Sequence, residues 1–184
     1  MDIPFLIGLV GAIILVMGAA YPVKPVKHPT KSIKNWLFAI GAVCMFIYAL
    51  LGYLDGGPIF FLILQILVAV STVLMMLDTP DKVDVPILGI SGLVLIIWSL
   101  TLFEGTNTVF FVIGLVGIAL GYALKPGSIQ RNLSLTLGSA LIAIFSYIEK
   151  DAIFFWLNTF FALFSAYYVI KLMLTAKHPK KKAA

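Results

Sequence analysis

The chain has 184 residues, 61% of them hydrophobic and 11% charged, with a formal net charge of +5 and a mean hydropathy of +1.09. A soluble domain of this length cannot hide so much apolar surface in one core, which excludes an ordinary soluble enzyme or binding module. The apolar residues run unbroken instead of alternating with polar ones, which excludes a β-barrel as well.

Seven apolar segments approach the ~20 residues a helix needs to cross a bilayer. They lie at about 3–21, 36–54, 58–77, 85–103, 108–124, 133–148 and 152–174. The first is expected to remain as a span: Met1-Asp2 carries no positive charge, and the lysines follow the apolar run instead of preceding it. It ends at Tyr21-Pro22, and Pro25 and Pro29 keep the basic loop 22–35 from continuing as helix. Trp36 marks an interface where the second segment begins. Asp55-Gly56-Gly57-Pro58 is a tight turn into the third. The polar stretch 78–84, with Pro80 and Pro86 near its ends, leads to the fourth segment, and 104–107 turns into the fifth. Lys125-Pro126-Gly127-Ser128 breaks the chain before a short sixth segment, and Glu149-Lys150-Asp151 turns into the seventh. That last segment is aromatic, with Phe154, Phe155, Trp156, Phe160, Phe161, Phe164, Tyr167 and Tyr168. Aromatics at such spacing read as packing or lipid-facing residues. The single cysteine, Cys44, lies mid-segment and rules out a disulfide framework.

The segments form two similar blocks. Residues 7–11 read IGLVG and residues 113–117 read IGLVG again. Gly41 and Gly138 lie inside the second segment of each block, with Tyr48 and Phe145 seven residues on; Ile59-Phe60-Phe61 returns as Ile153-Phe154-Phe155. The expected fold is therefore an all-α membrane protein with two parallel three-helix repeats, 1–77 and 108–174. Three crossings invert the chain, so the segment 85–103 is an inverter helix that makes the repeats parallel, a 3+1+3 layout. A basic tail, 175–184, follows.

Lys24, Lys27, Lys31 and Lys34, then Lys125 and Arg131, then Lys177, Lys180, Lys181 and Lys182 fall on one side of seven crossings. Asp2, Asp55, Glu104, Glu149 and Asp151 fall on the other. Positive residues stay cytoplasmic, which sets the N-terminus out and the C-terminus in; the acidic stretch Asp78, Asp81 and Asp84 weighs little in that rule. The basic residues thus read as topology signals with weak attraction to anionic lipid, not as a nucleic-acid surface. Lys181-Lys182 near the end would serve as a retrieval signal in a eukaryote.

Inside the spans almost nothing ionises. Lys171 lies near an end and snorkels. His28 and His178 are in loops and cannot ligate haem or zinc at membrane depth. No carboxylate relays protons, and no base stands by a serine or threonine. The chain is expected to be neither an enzyme nor a cofactor binder. What remains is neutral hydrogen bonding. Gln65 and Asn158 fall seven residues after Pro58 and Asp151 respectively, so they stand at matching points of the two blocks. Two amides offer donors and acceptors without charge; the plainer reading is that each joins two helices. Ser71, Thr72 and Ser165 extend a polar path or bond back to their own helices. Gly8, Gly11, Gly114 and Gly117 repeat a G-x-x-G spacing that lets helices approach closely.

These residues resemble the SWEET sugar transporters and the wider PQ-loop group, whose layout is shared by PnuC vitamin transporters and KDEL-type retrieval receptors. Pro22 ends the first helix where that family has its proline, and Thr30-Lys31-Ser32 follows as in its T-K-S loop. Ile47-Tyr48, Asp55 and Pro58 resemble its second-to-third helix hairpin, and Asn132-Leu133-Ser134-Leu135 resembles its D-L-S-L run. The chain departs from the pattern in having Val23 where the PQ dipeptide has its glutamine, and in lacking prolines inside segments two, five and six. The resemblance implies a facilitator that moves a small neutral solute, a sugar or similar, downhill by alternating access. Asn158 and, less closely, Gln65 take the place of the substrate-binding asparagines; Met45 and Ile142 stand where a tryptophan packs on sugar; Thr72 and Ser165 complete the site and Pro22 serves as hinge. Two other readings stay open: a receptor or scaffold of the same fold, marked by a blocked or dry centre, and a PnuC-like vitamin transporter. The expected partners are a solute and the lipid bilayer, with self-association open, in a plasma (inner) membrane or the endoplasmic reticulum of a eukaryote.

Overall fold

A computed structural model describes residues 2–21, 28–103 and 105–177, except for the side chains of 176 and 177. Seven helices follow in order: α1 (Ile3–Ala20), α2 (Ile33–Leu54), α3 (Phe60–Leu77), α4 (Asp81–Thr101), α5 (Thr106–Ala123), α6 (Ile129–Ile148) and α7 (Ala152–Lys177). A single 3₁₀ turn, Pro29–Lys31, precedes α2, and no strand occurs among the described residues. All seven helices are long and apolar enough to cross a bilayer. The chain is an integral, multi-pass membrane protein. Its outer surface agrees: Ile90, Leu93, Val94 and Ile97 of α4 are exposed, as are Trp156, Leu163 and Ile170 of α7. Such surface is tolerable only where the solvent is lipid.

The helices run longer than the apolar stretches at four N-termini, and those of α2, α4 and α6 have a local cause. Ser32 caps α2, its Oγ accepting from the Asn35 N–H at 3.4 Å, so the helix starts at Ile33 and takes in Lys34 and Asn35. Ser128 caps α6 through the Arg131 N–H at 3.1 Å, so Gln130, Arg131 and Asn132 become helical. The polar stretch before the fourth segment is not a loop of seven residues. Only Asp78, Thr79 and Pro80 are non-helical; Asp81 and Asp84 sit in the first turn of α4, where the helix dipole favours acids. Thr79 hydrogen-bonds Asp84 there, and Pro86 falls inside the helix.

Each helix packs on few others. α1 pairs with α2 and α7, α2 with α3, α5 with α6, and α6 with α7; α3 and α5 touch each other, and both touch α4. Glycine sets the closest crossings. A Cβ on Gly117 would stand 2.8 Å from the Gly138 Cα, and one on Gly41 would meet the Leu15 Cγ at 2.6 Å. Contacts this short leave room for hydrogen alone.

The core is concentrated toward the end of the bundle that carries the turns into α3, α5 and α7. There Phe60, Phe61, Phe111, Phe145 and Phe154 meet, none more than 4% exposed. Phe61 stacks on Phe154 with centroids 4.4 Å apart, while Phe145 lies 5.1 Å from Phe111 and 5.4 Å from Phe61. Beyond them the Tyr48 hydroxyl of α2 donates to Asp151 Oδ2 at 2.9 Å, and Asp151 Oδ1 caps α7 by accepting from the Phe154 N–H at 2.9 Å. Asn107 Nδ2 also reaches Glu149 Oε1 at 2.6 Å.

Candidate functional site

A cavity of about 360 Å³ begins one turn below the phenylalanines and runs toward the opposite end of the bundle. It lies within the size range of small-molecule pockets. Its walls come from α1, α2, α3, α5, α6 and α7; α4 contributes no residue. On α3 the lining runs from Leu64 to Met75, about 16 Å of helix.

The deep end holds the two amides. Gln65 is 3% exposed and Asn158 5%. Asn158 Nδ2 donates to the Phe154 carbonyl at 2.9 Å, the only hydrogen bond its side chain makes among the described residues, so its Oδ1 is left unengaged. Gln65 is the less satisfied of the two: its Oε1 is buried and has no hydrogen-bond partner among the described residues. An orphaned buried acceptor costs about 1–3 kcal/mol and calls for a ligand or a water. Ser139 on α6 adds a buried hydroxyl, and Ser71, Thr72 and Ser165 follow along the walls. The Thr72 hydroxyl bonds back to the Val68 carbonyl at 2.7 Å, which leaves it free to accept. Phe161 and Phe164 of α7 face the cavity between these polar groups.

The wide end is basic. Lys34 and Asn35 of α2 and Arg131 and Asn132 of α6 line it, together with Tyr122 and Tyr168. Lys34 Nζ donates to the Tyr21 carbonyl at 3.3 Å, and Arg131 Nη1 to the Leu124 carbonyl at 3.4 Å. Tyr21 and Leu124 are the residues that end α1 and α5. Each cation therefore satisfies the carbonyl end of the preceding helix, where positive charge is favoured. The two asparagines are fixed in the same manner, Asn35 Nδ2 on the Pro29 carbonyl at 3.2 Å and Asn132 Nδ2 on the Ser128 carbonyl at 2.9 Å.

Of the residues singled out in the sequence, Gln65, Asn158, Thr72 and Ser165 lie round this one cavity. Met45 and Ile142 do not line it. Both are wholly buried in the apolar core, at the α1–α2 and α5–α6 crossings, where Cβ atoms built on Gly11 and Gly114 would meet the Met45 backbone at 3.2 Å and the Ile142 Cγ1 at 2.9 Å. Pro22 and the tail 178–184 lie outside the described residues. Lining residues not foreseen as part of a site include Tyr122 and Ser139 and, at the basic end, Lys34, Asn35, Arg131 and Asn132. A signal for the last four exists. Lys34-Asn35 and Arg131-Asn132 are matching cation–asparagine pairs, each cation seven residues before the crossing glycine, Gly41 or Gly138. Comparison of the chain with family models, with curated proteins and with solved structures finds no match.

Proposed function

We propose that this protein is a transporter that moves a small polar solute downhill between two three-helix bundles. The observation that carries this reading is the cavity: polar inside, walled by six helices, and shut at one end by packed phenylalanines. A scaffold that only docks other membrane proteins would gain nothing from a hollow polar centre with an unsatisfied amide, and uptake separates a transporter from a receptor that binds there.

The helix pairings support the repeat on which the reading depends. Replacing α1, α2 and α3 by α5, α6 and α7, and the reverse, carries each pairing among these six helices onto another observed pairing: α1–α7 becomes α5–α3, and α1–α2 becomes α5–α6. Such an exchange is what parallel repeats about an axis along the membrane normal produce, with the substrate between the halves. The exclusion of α4 from the lining fits an inverter helix, as in SWEET-like proteins. With the N-terminus outside, the phenylalanine end faces out, and the chain stands open to the cytoplasm. Rocking of the bundles would open the phenylalanine contact and close the basic mouth.

Tracer equilibration into proteoliposomes without an ion gradient tests the proposal. Wild type is expected to give saturable uptake of at least one compound from a panel of sugars, organic acids and nucleosides. Asn158→Ala is expected to reduce it at least tenfold while the protein stays folded. A panel that equilibrates no faster than into empty vesicles would overturn the transport reading.

A further inference from the structure

The spans read as apolar segments suggest a neutral solute, yet among the described residues the cavity carries two cations and no acid: Lys34 and Arg131 line it, and no Asp or Glu does. Neither cation has an ion-pair partner among the described residues. Both stand in the first turn of their helices, α2 and α6. The positive ends of those helix dipoles are offset by the negative ends of α1 and α5, which the cations contact, so the charge there is that of the two side chains. Their one hydrogen bond each, to Tyr21 and to Leu124, is long and uses a single donor. An ammonium has three donors and a guanidinium five, so most of the donor capacity is unspent. An anion in the cavity would meet the unspent donors of both side chains.

The far end is different in kind. Gln65, Asn158 and Ser139 offer hydrogen bonds without charge, and the Gln65 Oε1 lacks a partner. On α6 the distance from Arg131 to Ser139 is about 12 Å of helix rise. The cavity is therefore polarised along its length, charged at the mouth and neutral at depth. Resting on the transport reading above, we infer that the solute is a small organic anion. Its carboxylate or phosphate binds between Arg131 and Lys34, and its uncharged polar body reaches Ser139, Gln65 and Asn158. Arg131 offers a planar fork for two acceptor oxygens and Lys34 a point charge, a combination suited to either group.

The full chain tests this in two arms. In proteoliposomes, labelled lactate, succinate and glycerol 3-phosphate are compared with labelled glucose and glycerol. In detergent, the melting temperature is followed as each compound is added. The variants are Arg131→Gln, Arg131→Lys and Lys34→Gln, with Lys31→Gln as a charge control outside the cavity. At least one anion is expected to raise the melting temperature and to enter saturably. Its apparent affinity should fall at least tenfold in Arg131→Gln, less in Arg131→Lys, and not at all in Lys31→Gln. Because Arg131→Gln also frees the Leu124 carbonyl, its melting temperature without ligand is taken first. Lys34→Gln provides the second reading should that variant unfold. Saturable glucose or glycerol uptake that is indifferent to both cavity variants, with no anion effect on melting, would overturn the anion and leave the transporter. Melting shifts that depend on Arg131, without uptake of any compound, would overturn the transporter and leave the anion site. Neither uptake nor shifts would overturn both.

Discussion

The two ends of the bundle use the same six helices for opposite purposes. At the phenylalanine end, Phe60, Phe61, Phe111, Phe145 and Phe154 fill the space between α3, α5, α6 and α7, and the Tyr48–Asp151 hydrogen bond joins α2 to the start of α7. At the basic end, the same helices leave a cavity whose cations and amides have most of their hydrogen-bonding capacity unspent. The contrast separates stability from function within one fold. Apolar packing closes one end tightly; the other holds polar groups that are only partly satisfied by the protein, with the Gln65 Oε1 lacking a partner among the described residues.

The largest expected effect breaks the closed end. Phe145 is fully buried and touches Phe60, Phe61 and Phe111. Phe145→Ala should cost about 3–5 kcal/mol in a denaturant titration in detergent, because the surrounding rings cannot collapse into the void. It should also breach the closure. A cysteine placed at Ser139 in a Cys44→Ser background should react with a membrane-impermeant maleimide from the basic side alone, and from both sides once Phe145 is alanine.

The open end should respond in the reverse sense. Gln65→Leu removes a buried acceptor without a partner, so it should raise stability by about 1–3 kcal/mol while abolishing uptake. A variant that is more stable and inactive would place Gln65 among groups kept for ligand binding. A loss of stability would make it a helix-joining residue. Tyr48→Phe should have a smaller effect, about 1 kcal/mol. Because the lost bond holds the closed end together, the variant should also label from the phenylalanine side more readily than wild type.

The seven spans were legible because lipid imposes a simple demand: an unbroken apolar run of nearly fixed length, which 3–21 or 58–77 satisfies on sight. The paired amides were legible from their equal distance to Pro58 and Asp151. The basic mouth was not, for a physical reason. Marking segments by apolar content cut α2 at 36 and α6 at 133, whereas Ser32 and Ser128 cap those helices earlier and draw Lys34 and Arg131 into the wall. A lysine counted as a topology signal can line a cavity as well, and only packing distinguishes the two. Met45 and Ile142 show the opposite limit. Resemblance placed them by alignment, but glycine-driven crossings put them in the dry core. Pro86 marked a boundary in the sequence, yet α4 runs through it.

The smallest effect concerns Asp151, the acid that caps α7 at the phenylalanine end. Burial raises the Asp151 carboxyl above its ordinary value, against the opposing influence of the Phe154 N–H and the Tyr48 hydroxyl. The folded chain thus holds the neutral acid more readily than the unfolded chain does. That contribution is fully present below the unfolded carboxylate value, about 3.9, and is lost as pH rises through the higher folded value. Asp151→Asn cannot titrate; its single oxygen can accept from the Phe154 N–H, while its Nδ2, where Oδ2 stood, can only donate to the Tyr48 hydroxyl, so it serves as the pH-independent reference. The melting temperature of wild type minus that of Asp151→Asn should therefore fall as pH goes from about 4 toward neutrality. A difference that rises instead would mean that the two hydrogen bonds to the carboxylate outweigh its burial. The closed end would then be held by a charge, and Tyr48→Phe should cost more at neutral pH than in acid.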